Sequence, residues 1–173
     1  MNIKEAMACY FVKLNNLYKN TFGTFPTVSW SPEQNQDLFI GKPDEDGEIQ
    51  WKPVEATPVR IDGLRRELQA FYGSYYYWEL RGEYKGVLFD FPPLPSLNVA
   101  ESVVCAAIND GEYYFPNQET VLLATCSSNG NDDLLLFFRQ NTGELFIYDS
   151  DKRFLHPLNY SLVELICSMK AVI

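Results

Sequence analysis

The sequence predicts an α+β fold in a single domain spanning residues 1–173, a mostly antiparallel sheet flanked by helices. Three observations predict it. Apolar residues recur at helical spacing near both ends of the chain, short runs of strand character fill the stretches between, and turn residues join neighbouring runs closely enough for hairpins. No composition shift marks an internal boundary. A chain of 173 residues buries roughly 70% of the surface it would expose unfolded.

Residues 2–20 read as an amphipathic helix. Asn2 and Glu5 make a capping-box pair, Ile3, Met7, Tyr10, Phe11, Leu14, Leu17 and Tyr18 form the apolar stripe, and Gly23 is the stop. A Pro-, Asp- and Gly-rich stretch follows, with extended pieces at Leu38–Ile40 and Ile49–Trp51 around an Asp46-Gly47 turn. Asp44, Asp46 and Glu48 lack the glycine and the distant glutamate of a calcium loop, so turn chemistry explains them better. A second helix is predicted from Asp62 to Tyr72, ending at Gly73, then strands at 75–81 and 86–91. Pro92, Pro93 and Pro95 end that run. Asn98 and Glu101 read as a capping box for a helix to about Ile108 that closes before Gly111. Strands are predicted at 120–126, 133–139 and 144–149, the last two joined by Asn141-Thr142-Gly143. The final helix is predicted over Tyr160–Ala171, capped within Asn159-Tyr160-Ser161.

The stretch from Phe71 to Glu83 carries six aromatics and two carboxylates around Gly73. At strand period Tyr76, Trp78 and Leu80 point to one side, and Tyr75, Tyr77, Glu79 and Arg81 to the other. The second side suits a cationic partner.

A hydrophobic fraction of 46% with 15% aromatics excludes disorder and predicts a core of Phe, Tyr and Trp. No run of apolar residues is long enough for a membrane span, and Met1–Glu5 lacks a signal-peptide character, which predicts a soluble, cytoplasmic chain. Four single cysteines, Cys9, Cys105, Cys126 and Cys167, read as buried, reduced thiols acting as small hydrophobes, with Cys9, Cys105 and Cys167 expected inside helices among apolar neighbours.

The net charge of −9 argues against nucleic acid and against direct binding to anionic lipid. The acids are segregated: residues 33–55 hold seven against two bases, as do residues 79–119, while the first 32 residues are slightly basic. Such a surface steers a basic partner.

Catalytic constellations are missing from the pattern. His156 is the only histidine and has no orienting partner in sequence, so no nucleophile triad is predicted. One histidine and unpaired cysteines predict no metal site, and no nucleotide-binding or nucleophile-elbow motif occurs, so no cofactor is expected. Glu79, Glu83 and Asp90 on adjacent strands could flank a sugar, but sequence does not supply their separation. The chain is read as a binding protein and not an enzyme.

The string Trp51-Lys52-Pro53 after a short strand resembles the Trp-Gln-Pro of the Syd family, the SecY-interacting proteins within the SUKH superfamily. Phe71-Tyr72-Gly73 after the second helix, Val121-Leu122-Leu123-Ala124-Thr125 and Thr142-Gly143-Glu144-Leu145 resemble later family strings in the same order, across almost the whole chain. The stretch Glu83–Glu119 departs, with Pro92-Pro93-Leu94-Pro95 peculiar to this chain and Asp110, Glu112 and Glu119 where the family is basic and glutamine-rich.

The resemblance implies a cytoplasmic protein, peripheral at the plasma membrane, that binds basic cytosolic loops of the SecY translocon subunit through an acidic groove and monitors its assembly. Membrane association would then run only through that protein partner. Asp44, Glu45, Asp46, Glu48, Glu79 and Glu83 are the expected source of the field, and Trp51, Tyr75 and Tyr77 of contact area. The superfamily's other role, an immunity protein that covers a basic toxin such as a nuclease, fits −9 equally well.

Overall fold

The computed structural model describes residues 1–58 and 61–173. It shows the α+β architecture, with four α-helices and a seven-stranded antiparallel sheet. Among these residues no helix is long and apolar enough to cross a membrane.

Helix α1 (Ile3–Phe22) starts and stops where its local sequence dictates. The Glu5 amide donates to Asn2 Oδ1 at 2.9 Å, the Asn2 amide donates to Glu5 Oε2 at 2.8 Å, and Gly23 turns left-handed at φ +75°. Its buried stripe is Ile3, Ala6, Met7, Tyr10, Phe11 and Leu14.

A small antiparallel sheet follows: β1 (Thr27–Ser29), β2 (Phe39–Ile40) and β3 (Glu48–Trp51), in the order β1-β3-β2. Next, β4 (Val54–Glu55) pairs with β5 (Tyr75–Tyr76) across helix α2 (Arg66–Tyr72). That helix begins four residues later than its sequence predicts. Arg65 is drawn off to the turn at Gln140 and Asn141, where its amide donates to Gln140 Oε1 and its guanidinium to the carbonyls of both residues.

The large sheet runs β11 (Phe154–Pro157), β10 (Leu145–Asp149), β9 (Asn131–Arg139), β8 (Thr120–Ser128), β7 (Val87–Phe91), β6 (Leu80–Tyr84), β12 (Lys170–Ala171). Helix α3 (Leu97–Tyr114) connects β7 to β8, and α4 (Leu162–Ser168) precedes β12. The strands predicted at 120–126, 133–139 and 144–149 are all present. The short edges β11 and β12 carry no readable periodicity, and Pro157 sits in β11 because an edge strand can spare an amide.

The predicted strand 75–81 is broken. Tyr75 and Tyr76 pair with β4, Tyr77 makes a bridge to Leu94, and β6 starts only at Leu80. Each short piece has a different partner, so a single alternation cannot survive across it. The helix placed at Asn98 starts at Leu97 instead, capped by Ser96, and runs past Gly111 to Tyr114. Gly111 serves close packing: a Cβ there would lie 1.9 Å from the Thr120 carbonyl oxygen, and Thr120 Oγ1 donates to the Gly111 carbonyl at 2.9 Å. The last helix is shorter than predicted because the chain turns extended after Ser168 to form β12. Cys9 and Cys105 are exposed, on the outward stripes of α1 and α3, and of the four thiols only Cys126 is buried.

Strand alternation separates two cores. Leu136 and Phe138 face one side of β9 and join the main cluster with Leu80, Phe89, Leu145 and α1, α2 and α4. Phe137 faces the other side, stacked on Phe146 at 5.5 Å and closed by Phe115 just beyond α3. One hydroxyl ties helix to sheet. Tyr10 donates to the Arg81 carbonyl at 2.6 Å and accepts from the Arg81 amide at 2.9 Å, at the position where β12 has already ended.

Removing that hydroxyl strands two backbone groups, so Tyr10→Phe should cost about 1–3 kcal/mol in urea unfolding. Tyr77 is fully buried and its hydroxyl has no hydrogen-bond partner among the described residues, so Tyr77→Phe should cost nothing or stabilise. Equal losses in the two variants would contradict this assignment.

Candidate functional site

The residues singled out in the sequence do not all reach the surface. Asp44, Glu45 and Asp46 lie in the β2–β3 connection, where Asp44 Oδ1 accepts from the amides of Asp46 at 3.0 Å and Glu48 at 2.8 Å. This is turn chemistry, as the spacing implied. Glu48 is on β3 and accepts from the Ser29 hydroxyl.

Two of the expected contact aromatics are corrected outright. Trp51 is 1% exposed, cross-strand from Phe39, and Tyr77 is 0% exposed against Phe11. Both fill the main core, Trp51 turned inward by β3 and Tyr77 by its bridge to Leu94, so neither offers contact area. Tyr75 is half-buried with its ring edge-to-face on Phe11 at 5.6 Å. Glu83 is exposed on β6, with Lys170 directly across from it.

Glu79 is half-buried and accepts from the Tyr18 hydroxyl at 3.1 Å. Burial pushes its carboxyl above the ordinary glutamate range, against the opposing pull of the Tyr18 hydrogen bond and Arg81. Burial and the Glu79 carboxylate together push Tyr18 up to about 12. Asp149 is held below the ordinary aspartate range by the backbone amide and ammonium of Lys152 at 2.9 and 3.0 Å, which closes the β10–β11 turn. Among the described residues no group of three or more His, Cys, Asp or Glu side chains is placed to hold a metal ion.

What the fold does assemble lies on the sheet face away from α1. Cross-strand register sets Arg81, Asp90, Thr125, Leu135 and Tyr148 in one row across β6 to β10. Since Tyr10 takes both backbone groups of Arg81, the Arg81/Asp90 pair is the non-hydrogen-bonded kind, with its side chains close. Arg81 Nε stands 3.7 Å from Asp90 Oδ2, both partly exposed, which makes a weak pair.

Beyond Asp90 the strands part. Pairing of β7 with β8 stops at Asp90↔Thr125, β8 is bulged between Leu122 and Ala124, and Pro92 and Pro93 lack the amides to continue a ladder. The gap is a cleft of about 390 Å³ walled by α3. Phe91, Val103, Ala107 and Leu122 line it, and Asp90 and Asp110 stand at its edge. Asp90 and Thr125 also line an adjoining hollow of about 180 Å³ with Arg81, Leu88, Ser127 and Asp132. Cleft and hollow meet at Asp90 and Thr125, and the groove they trace is lined by three carboxylates and one guanidinium, with Asp110 in the cleft, Asp132 and Arg81 in the hollow and Asp90 in both.

Asp110 and Asp132 escaped the sequence reading as site residues, and Asp90 entered it only as a possible partner of Glu79 and Glu83. The available signal was Asp90 inside an apolar strand at the alternate position to Phe89 and Phe91. A third cavity, about 410 Å³, lies by the β10–β11 edge and includes His156, whose ring meets Phe154 at 4.6 Å.

A raised pKa in the fold favours the protonated carboxyl, so Glu79 adds stability below about pH 4.3 that is lost as pH rises through its raised value. Glu79→Gln keeps an acceptor for Tyr18 and removes the charge. It should melt higher than the parent at pH 7, with the gap closing near pH 4; a gap independent of pH would refute the burial account. No protein-family model matches the chain, and no curated protein matches it in sequence.

Proposed function

We propose that the chain is a non-enzymatic protein-binding module of the Syd kind, which takes a basic segment of its partner into the acid-lined groove. The partner we propose is the SecY translocon subunit, met through its basic cytosolic loops, with a role in monitoring that complex. Residence at the cytoplasmic face of the plasma membrane would follow from the partner alone.

The observation that carries this reading is the charge of the groove lining, with Asp110 in the cleft, Asp132 in the adjoining hollow, Asp90 in both, and among the described residues only Arg81 beside them to offset the charge. The chain's net charge of −9 extends that field beyond the groove and repels an anionic bilayer. Recruitment to a membrane therefore needs a cationic protein. The ordered strings from Trp51-Lys52-Pro53 to Thr142-Gly143-Glu144-Leu145 direct the choice to SecY.

Both acidic regions remain on the surface, and they can be told apart. Purified protein should capture detergent-solubilised SecY complex at about 0.1 M salt and lose it towards 1 M, as the Debye length falls from about 10 to 3 Å. The double reversal Asp110→Lys/Asp132→Lys should abolish capture, whereas Glu45→Lys/Asp46→Lys on the β2–β3 turn should weaken it only slightly. The opposite ranking would move the site to the turn. No capture at low salt would discard SecY and turn attention to a basic toxin as the partner.

A further inference from the structure

The α3 cleft contains more apolar surface than electrostatic capture requires. Its carboxylates sit at the edge, while Phe91, Val103, Ala107 and Leu122 make the interior, with Val103 and Leu122 only half-buried. At about 390 Å³ it lies near the lower end of the roughly 300–1,000 Å³ typical of small-ligand pockets. At Asp90 and Thr125 it meets the smaller hollow that Arg81 and Asp132 also line, so the lining continues from one to the other. An extended chain fits such a path.

We propose that the cleft between α3 and β7–β8 anchors a single aliphatic side chain of the partner, flanked on both sides by Lys or Arg. This rests on the reading of the groove as a basic-segment site and specifies what that segment must contain. Charge complementarity selects the occupant. Asp110 makes no ion pair among the described residues, and Asp90 has only its weak pair with Arg81, so each can take a cation from residues next to the anchor. The apolar interior would leave any charged or polar group that entered it without partners. A well-packed anchor inside a polar rim is also where binding energy concentrates in protein interfaces.

Fluorescence anisotropy can test this with two labelled synthetic peptides, alternating Lys and Gly with a central Leu or a central Ser. The Leu peptide should bind at least about tenfold tighter, the scale expected for burying one such side chain. Ala106 lines the cleft yet is exposed, so Ala106→Trp and the smaller Ala106→Leu can fill it without disturbing the core. Both should erase the preference for Leu while leaving the Ser peptide unchanged, and Asp110→Lys should weaken both peptides.

Equal affinity of the two peptides for the unmodified protein would overturn the anchor and leave the groove reading standing. A Leu preference that survives both fillings, with melting temperatures unchanged, would overturn the placement of the anchor here. Failure of both peptides to bind would overturn the groove reading itself and the anchor with it.

Discussion

The bidentate contact of the Tyr10 hydroxyl with Arg81 governs how this molecule is put together. Strand β6 has β7 on one side for its full length but β12 on the other only at Gly82 and Glu83. At Arg81 the outer backbone groups would be buried without a strand to pair with. Tyr10 supplies a donor and an acceptor in one atom and so replaces the missing strand residue. The same contact seats α1 on the sheet and carries Phe11 and Leu14 into the main core beside Tyr77. Burial holds the Tyr10 hydroxyl protonated far above neutral pH, so the donor is never lost.

That contact reaches the opposite face of the sheet. With its backbone turned towards Tyr10, Arg81 pairs with Asp90 in the close, non-hydrogen-bonded manner, and both side chains emerge on the groove floor. One helix residue thus fixes the position of two charges it does not touch. The groove wall has its own support: Gly111 lets α3 approach Thr120, and Phe115 locks the helix end onto Phe137 and Phe146. Cleft and floor are set by separate contacts, which meet at Asp90 and Thr125.

Local chemistry was legible in the sequence. Asn2, Glu5 and Gly23 bound α1 within two residues, and Asn141-Thr142-Gly143 placed the β9–β10 turn. Features decided by distant partners were not. Gly111 reads as a helix stop but is a packing site, Arg65 leaves its helix for the β9–β10 turn, and the run Tyr75–Arg81 changes partner twice. The site divides the same way. The sequence showed that the chain is acidic and where the acids cluster, but not that Asp110 and Asp132 line adjoining hollows that meet at Asp90. That depends on the β7–β8 register and on the path of α3, neither of which leaves a trace in spacing. Trp51 and Tyr77 mislead for a related reason: an aromatic beside acids looks like a contact residue until the direction of its short strand is known.

The order of charges along the groove constrains any chain laid in it. From α3 towards β9 it would pass Asp110, the apolar cleft, Asp90 with Arg81 beside it, and then Asp132. A uniformly cationic segment would gain at three of these points and be repelled at Arg81. Coulomb attraction brings any basic chain near, because it acts over about a Debye length, but it discriminates little. Arg81 and the apolar interior act only at contact, one by repulsion and the other by leaving polar groups unpaired. On the proposed reading the long-range field would set how fast a partner arrives, and these two short-range features would decide which basic chain stays.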